Sequence, residues 1–204
     1  RKIMKAIRNP ITQTRRDAWT EVNLRSIEHN IKEIKKSLSA DTKIMAIVKA
    51  DAYRHGATMV SKTLQASGVS MFGVASVDEG IQLRQAEIIK PILILGPTPM
   101  WALQSAIENN LEITLFRDEH LEDCLFVAQK MNRCIKAHIK IDTGMNRIGV
   151  RAEDAKEFIF KAQNSSLIEL KGLFSHLACA EIPCETEKQI QKIGRASCRE
   201  RVYT

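Results

Sequence analysis

The chain has 204 residues, 44% of them apolar, and a formal net charge of +7. That is enough to bury a core as one domain, and no apolar run is long enough for a membrane span or a signal peptide, so a cytoplasmic protein is expected, with no membrane as partner. The basicity belongs to the ends: residues 1–16 hold six basic side chains and no acid, residues 193–204 hold three against Glu200, and the body between carries 22 basic and 23 acidic residues, with no basic stripe among aromatics, so nucleic acid is not expected as a partner.

After a basic extension over 1–16, Ala18–Val22 reads as a short strand and Asn23 as the N-cap of a helix. That helix sets Leu24, Ile27, Ile31, Ile34 and Leu38 on one stripe, at steps of three and four, which predicts a single buried face. Strand-like runs then alternate with helical segments: Lys43–Lys49, Met71–Ser76, Ile92–Gly96, Leu111–Phe116, Ile135–Asp142 and Leu170–His176. One helix opens on Ser76 and Glu79, a capping-box spacing in which each side chain satisfies the other's free amide. Another opens near Arg151 and presents Phe158, Ile159 and Ala162. A last helical start, Glu185–Lys192, is cut off after two turns. Cys124, Cys134, Cys179, Cys184 and Cys198 show no zinc-type pair of pairs, so reduced structural thiols and no metal are expected.

Strands rich in Val, Ile and Leu that alternate with helices predict a parallel sheet with covered faces. Six such units, with no GxGxxG turn after the first strand, favour an α/β TIM-type (β/α)8 barrel over a Rossmann sheet. Eight units close such a barrel, so residues 17–192 are expected to form about three quarters of one. Ile193–Val202 carries no apolar period of either kind. It reads as the in-frame translation of a common sequencing-library adapter, which sets residues 193–204 apart as a non-native tail.

Reactive residues of such barrels sit at the carboxyl ends of strands. Lys49 ends an apolar run, Ile44 to Val48. Most strand-end lysines carry charge out to solvent, but one held by a rigid strand and partly desolvated becomes an amine nucleophile for a carbonyl, with pyridoxal phosphate (PLP) the leading candidate. Lys140 and Arg147 flank the end of the fifth run, and His176 ends the sixth. Four cationic or imidazole groups on one rim suit an anionic ligand with a phosphate or carboxylate.

The segments Val48–Gly56 (VKADAYRHG) and Lys140–Gly149 (KIDTGMNRIG), about ninety residues apart, resemble the two signatures of bacterial alanine racemase. Ala18–Leu24, His29–Asn30, Phe72–Gly80, Ile94–Gly96 and Phe174–His176 extend the resemblance, which covers about Asp17 to Lys192. It implies a fold-type III PLP enzyme with an N-terminal barrel and a C-terminal β domain, acting as a homodimer to supply D-alanine for peptidoglycan.

Residue by residue, Lys49 matches the lysine that holds PLP covalently and acts as one of two proton-transfer bases. Tyr53 matches a phosphate ligand, and Leu95 an apolar wall of the cofactor pocket. Arg147 matches the arginine that contacts the PLP phenolic oxygen and the substrate carboxylate. Lys140 matches a lysine often carbamylated, whose new carboxylate orients that arginine, and His176 matches the histidine beside the pyridine ring. The second base is implied to be a tyrosine of the partner's C-terminal domain.

Two departures stand out. Arg54 replaces a glycine usual in the family, adding a charge near the phosphate end and occupying a turn that prefers glycine. Strands seven and eight and the C-terminal domain are not found, so a truncated, inactive and poorly folded fragment with two open sheet edges is expected. A serine-preferring racemase of the same fold and a single-barrel PLP-binding homeostasis protein are the alternatives. Sequencing the intact locus past the Lys192 codon is expected to reveal other codons there. A native gene reading through the same ten residues would refute the adapter origin.

Overall fold

The structure is a computed structural model and describes residues 20–198. The basic extension, Ala18–Trp19 of the leading strand and residues 199–204 lie outside the described residues. Eight helical segments and seven strands alternate: α1 (Leu24–Lys36), β1 (Met45–Ile47), α2 (Lys49–Arg54), α3 (Ala57–Ala66), β2 (Met71–Val74), α4 (Val77–Gln85), β3 (Ile92–Ile94), α5 (Met100–Glu108), β4 (Glu112–Leu115), α6 (Asp118–Met131), β5 (Ile135–Asp142), β6 (Val150–Arg151), α7 (Ala155–Gln163), β7 (Ile168–Phe174) and α8 (Pro183–Cys198).

Every strand pairing is parallel, in the order β1-β2-β3-β4-β5 with β7 beside β5. β6 is a two-residue addition that pairs with the last two residues of β5. The barrel expected from the alternation is present and unclosed. Between its strands and helices lies one core, in which Ile92, Leu93, Ile94, Ile113, Leu115, Ile139 and Ile141 are fully buried. Ile92–Ile94 is the continuous apolar run that a sheet covered by helices favours, whereas β4 and β5 set Thr114 and Lys140 between their apolar residues and bury them too. Because all six long strands point the same way, their carboxyl ends share one rim.

Four local expectations are corrected. Thr20–Val22 forms no strand; the backbone passes directly into Asn23, whose Oδ1 accepts from the amides of Arg25 and Ser26 at 3.0 and 3.3 Å. The α1 stripe is buried only in part. Ile31 is in the core, whereas Ile34 is 47% and Leu38 36% exposed, because α1 packs chiefly on α3 and Leu38 lies beyond its end. The Lys35 ammonium instead caps α3, donating to the carbonyls of Ser67 and Gly68 at 2.7 and 3.2 Å.

The Ser76–Glu79 box is only half made, since Ser76 Oγ accepts from the Glu79 amide at 3.4 Å while the Glu79 carboxylate turns elsewhere. Finally, α8 does not stop at Lys192 but continues to Cys198. Its inner stripe is Gln189, Ile193 and Ala196, with Gln189 and Ala196 buried. A polar glutamine at the first of these positions hides the helical period from the sequence.

Asn23→Ala is expected to cost about 1 kcal/mol through loss of the two cap bonds. Urea unfolding monitored by circular dichroism measures it.

Candidate active site

β1 ends at Ile47, and Lys49 stands two residues beyond it at the start of α2. α2 is left-handed. Ala50, Asp51, Ala52, Tyr53 and Arg54 all have φ between +52° and +67°, a conformation costing about 1–2 kcal/mol per residue outside glycine. Such a turn persists only where its surroundings over-determine it. Asp51 Oδ1 accepts the Ala57 amide at 2.6 Å, and the Asp51 carbonyl accepts the Gly56 amide at 3.0 Å. The His55 ring donates from Nδ1 toward the carbonyls of Ala52 and Tyr53 at 2.9 and 3.0 Å. Glu79 Oε1 accepts the Ala50 amide at 2.7 Å. Arg54, at φ +67°, occupies a backbone position that glycine takes without strain.

The second segment is built as a tight excursion between β5 and β6. Asp142 Oδ1 accepts the amides of Gly144 and Asn146 at 2.9 and 3.1 Å. Asn146 is left-handed at φ +52°, a region this residue type tolerates. Gly149 is required sterically. At φ +144°, a Cβ there would meet the Asp142 backbone nitrogen at 2.6 Å. The loop carries Arg147 to the rim. Thr143, buried beneath it, shares a 2.7 Å hydrogen bond with Ser175 and accepts from Gln189 Nε2 at 3.0 Å, tying the loop to the end of β7 and to α8.

Lys140 faces inward on β5 and is 5% exposed. Burial depresses its proton affinity, the Arg147 charge depresses it further, Asp142 opposes, and Lys49 adds to the depression. His176 is lowered in the same way, by desolvation first and then by Lys140, Arg147 and Lys49. Lys49, Lys140, Arg147 and His176, separate in sequence, are therefore brought within electrostatic reach of one another. None of the three cationic side chains forms an ion pair with a carboxylate among the described residues. The Lys140 ammonium lies 5.6 Å from the centre of the Phe174 ring. Leu95 lies on the wall opposite Ile47, with Gly73 between them: a Cβ on Gly73 would sit 2.6 Å from Ile47 Cδ1 and 3.1 Å from Leu95 Cδ1. Tyr53 is on the left-handed turn, 55% exposed, and its hydroxyl has no hydrogen bond among the described residues.

Sequence reasoning passed over two features. Glu112 of β4 and His138 of β5 are joined at 2.6 Å, nearly buried, two residues before Lys140 on the same face of β5. A glutamate and a histidine on neighbouring apolar strands were the available signal. The second is Glu79, whose spacing from Ser76 signals only a helix cap.

The profile of the family described as "Alanine racemase, N-terminal domain" matches residues 22–201. The chain belongs to that family. "Alanine racemase 2" of Oceanobacillus iheyensis is 40% identical over 182 residues, covering 88% of this chain and 46% of that protein. The crystal structure of alanine racemase from Bacillus anthracis with bound L-Ala-P superposes with TM-score 0.82 at 34% identity, over 89% of this chain and 48% of that one. A histidine racemase from Leuconostoc mesenteroides superposes with TM-score 0.78 at 28% identity, over 85% and 47%. The chain thus spans about half the length of the relatives it matches.

Lys140 gives a pH prediction. A lysine whose folded-state proton affinity is lowered penalises folding while it is protonated. Stability contributed by this group therefore rises with pH from its lowered folded value up to about 10.5. Lys140→Met is expected to raise the melting temperature at neutral pH, by about 2–4 °C per kcal/mol of relieved desolvation, and to flatten that rise. Thermal melts of both proteins between neutral and alkaline pH measure it.

Proposed function

We propose that the chain is the cofactor-carrying part of a PLP-dependent amino-acid racemase that interconverts L- and D-alanine. What supports this reading is the unneutralised cationic rim, where Lys49, Lys140 and Arg147 converge with the His176 ring and no carboxylate is paired with them among the described residues. Three cations at the mouth of a barrel, opposed there by Asp142 without an ion pair, call for an anionic ligand. The donor set fits PLP: an amine for its aldehyde at Lys49, an unbonded phenol at Tyr53, a guanidinium at Arg147, and an apolar wall at Leu95 next to side-chain-free Gly73.

Bound there, the cofactor supplies an electron sink that acidifies the α-carbon of an amino acid. Lys49 would hold it through its amine, and the same amine would serve as the base that takes or returns the α-proton on one face. The Tyr53 O–H would donate to the phosphate. Arg147 binds the substrate carboxylate through parallel N–H groups. Lys140, its neutral form favoured by burial, adds carbon dioxide at its nitrogen with loss of a proton, and the new carboxylate orients Arg147. His176, its proton affinity lowered by desolvation and by the neighbouring cations, would lie beside the cofactor ring. Inversion needs a second acid on the opposite face, which the resemblance assigns to a tyrosine of a C-terminal β domain in the partner subunit of a homodimer. No helix among the described residues is long and apolar enough to cross a membrane, in keeping with a cytoplasmic enzyme. The likeness to a histidine racemase supports testing alanine, serine and histidine side by side.

Borohydride reduction of the chain mixed with PLP is expected to fix the cofactor on Lys49, and Lys49→Ala to abolish that label. Joined to a family C-terminal domain, Lys49→Ala is expected to slow alanine racemisation by at least about 10²–10⁴-fold. Equal labelling of the variant refutes the assignment.

A further inference from the structure

We infer that Glu79 is the positioning residue of Lys49: a carboxylate on α4 that ends the β1–β2 ladder and sets the left-handed turn carrying the amine. The inference rests on Lys49 being the PLP lysine. Parallel pairing of β1 with β2 extends one rung past the strand, where the Val48 amide donates to the Gly73 carbonyl at 2.9 Å. In a parallel ladder the next inter-strand donor is two residues on, at Ala50. That amide does not continue the ladder; it donates to Glu79 Oε1 at 2.7 Å. The other oxygen, Oε2, accepts the Ala75 amide at 2.7 Å, at the end of β2. One carboxylate thus occupies both strand ends, with two short charge-assisted bonds of the stronger kind.

A glutamate at the third position of a helix ordinarily reaches back to its own N-cap amide. Glu79 instead reaches across to the residue that follows Lys49. Ala50 is the first of five left-handed residues, so releasing its amide frees the turn where the strain begins. A loose turn lets the Lys49 amine wander from the rim, and a displacement of about 1 Å at a reacting group is costly.

Glu79→Gln keeps the size but offers one acceptor oxygen for two amide donors. Fixation of PLP on Lys49 by borohydride, followed by peptide mapping, is expected to fall about 10-fold to 100-fold in apparent affinity, with label redistributed toward Lys140. Ser76→Ala removes the hydroxyl cap from the same helix and leaves Ala50 untouched, so it is expected to lower the melting temperature without moving the label. Unchanged labelling in Glu79→Gln, or an equal loss in Ser76→Ala, overturns the inference. Should Glu79→Gln fail to fold, an ester in place of the Lys49–Ala50 amide removes the donor with Glu79 intact. Undiminished labelling there overturns it too. Amide exchange across residues 50–54 in the cofactor-free chain separates this from failure of the Lys49 reading. If wild type takes no label but Glu79→Gln speeds that exchange, the clamp stands and the Lys49 reading falls; unchanged exchange sinks the clamp.

Discussion

Positive charge crowded onto one rim is the condition around which the rest of this molecule is arranged. Lys140 is nearly buried, carries no hydrogen-bonded counter-ion among the described residues, and has Arg147 and Lys49 as charged neighbours, with Asp142 opposing them. An ammonium in that setting raises the free energy of the folded chain. A core of parallel apolar strands can carry such a cost, and an anionic ligand such as the one proposed would relieve it. Desolvation first, and then the charges of Lys140, Arg147 and Lys49, lower the proton affinity of the His176 ring, so the same cluster acts on two titratable groups.

Backbone devices aim these charges. The Lys49 segment is bent into five left-handed residues and held by Asp51, His55 and Glu79. The Arg147 loop is folded on the Asp142 carboxylate and closed by a glycine whose Cβ has no room. Both segments put their strain where the Lys49 and Arg147 side chains leave the sheet, and strained backbone of this kind clusters at ligand sites in general. Thr143, Ser175 and Gln189 then join the loop to β7 and α8, so the rim is braced from several elements.

Much of this was legible in the residues. Six apolar runs gave the six long strands, and Ile135–Asp142 was read with its observed limits. Asn23 was read as a cap because its short acceptor side chain suits no other role before an apolar stripe. Other features were hidden. α8 buries Gln189 in its stripe, so an apolar count breaks off too early. Ile34 and Leu38 share the period of α1 but have too little to pack against. Glu79 has the spacing of a cap, and spacing alone cannot tell which amide a carboxylate accepts.

The order of residues by itself determined the alternation of strands and helices, the common direction of the strands, and therefore that Lys49, Lys140, Arg147 and His176 lie at one end. These follow from periodicity and chain connectivity, which are local. Only the tertiary structure decided that the cations meet without carboxylate partners, that Lys49 rides on a left-handed turn, and that Glu79 holds that turn. Those outcomes depend on contacts between β1, β2 and α4, and on burial, which depend on distances in space that no local pattern encodes.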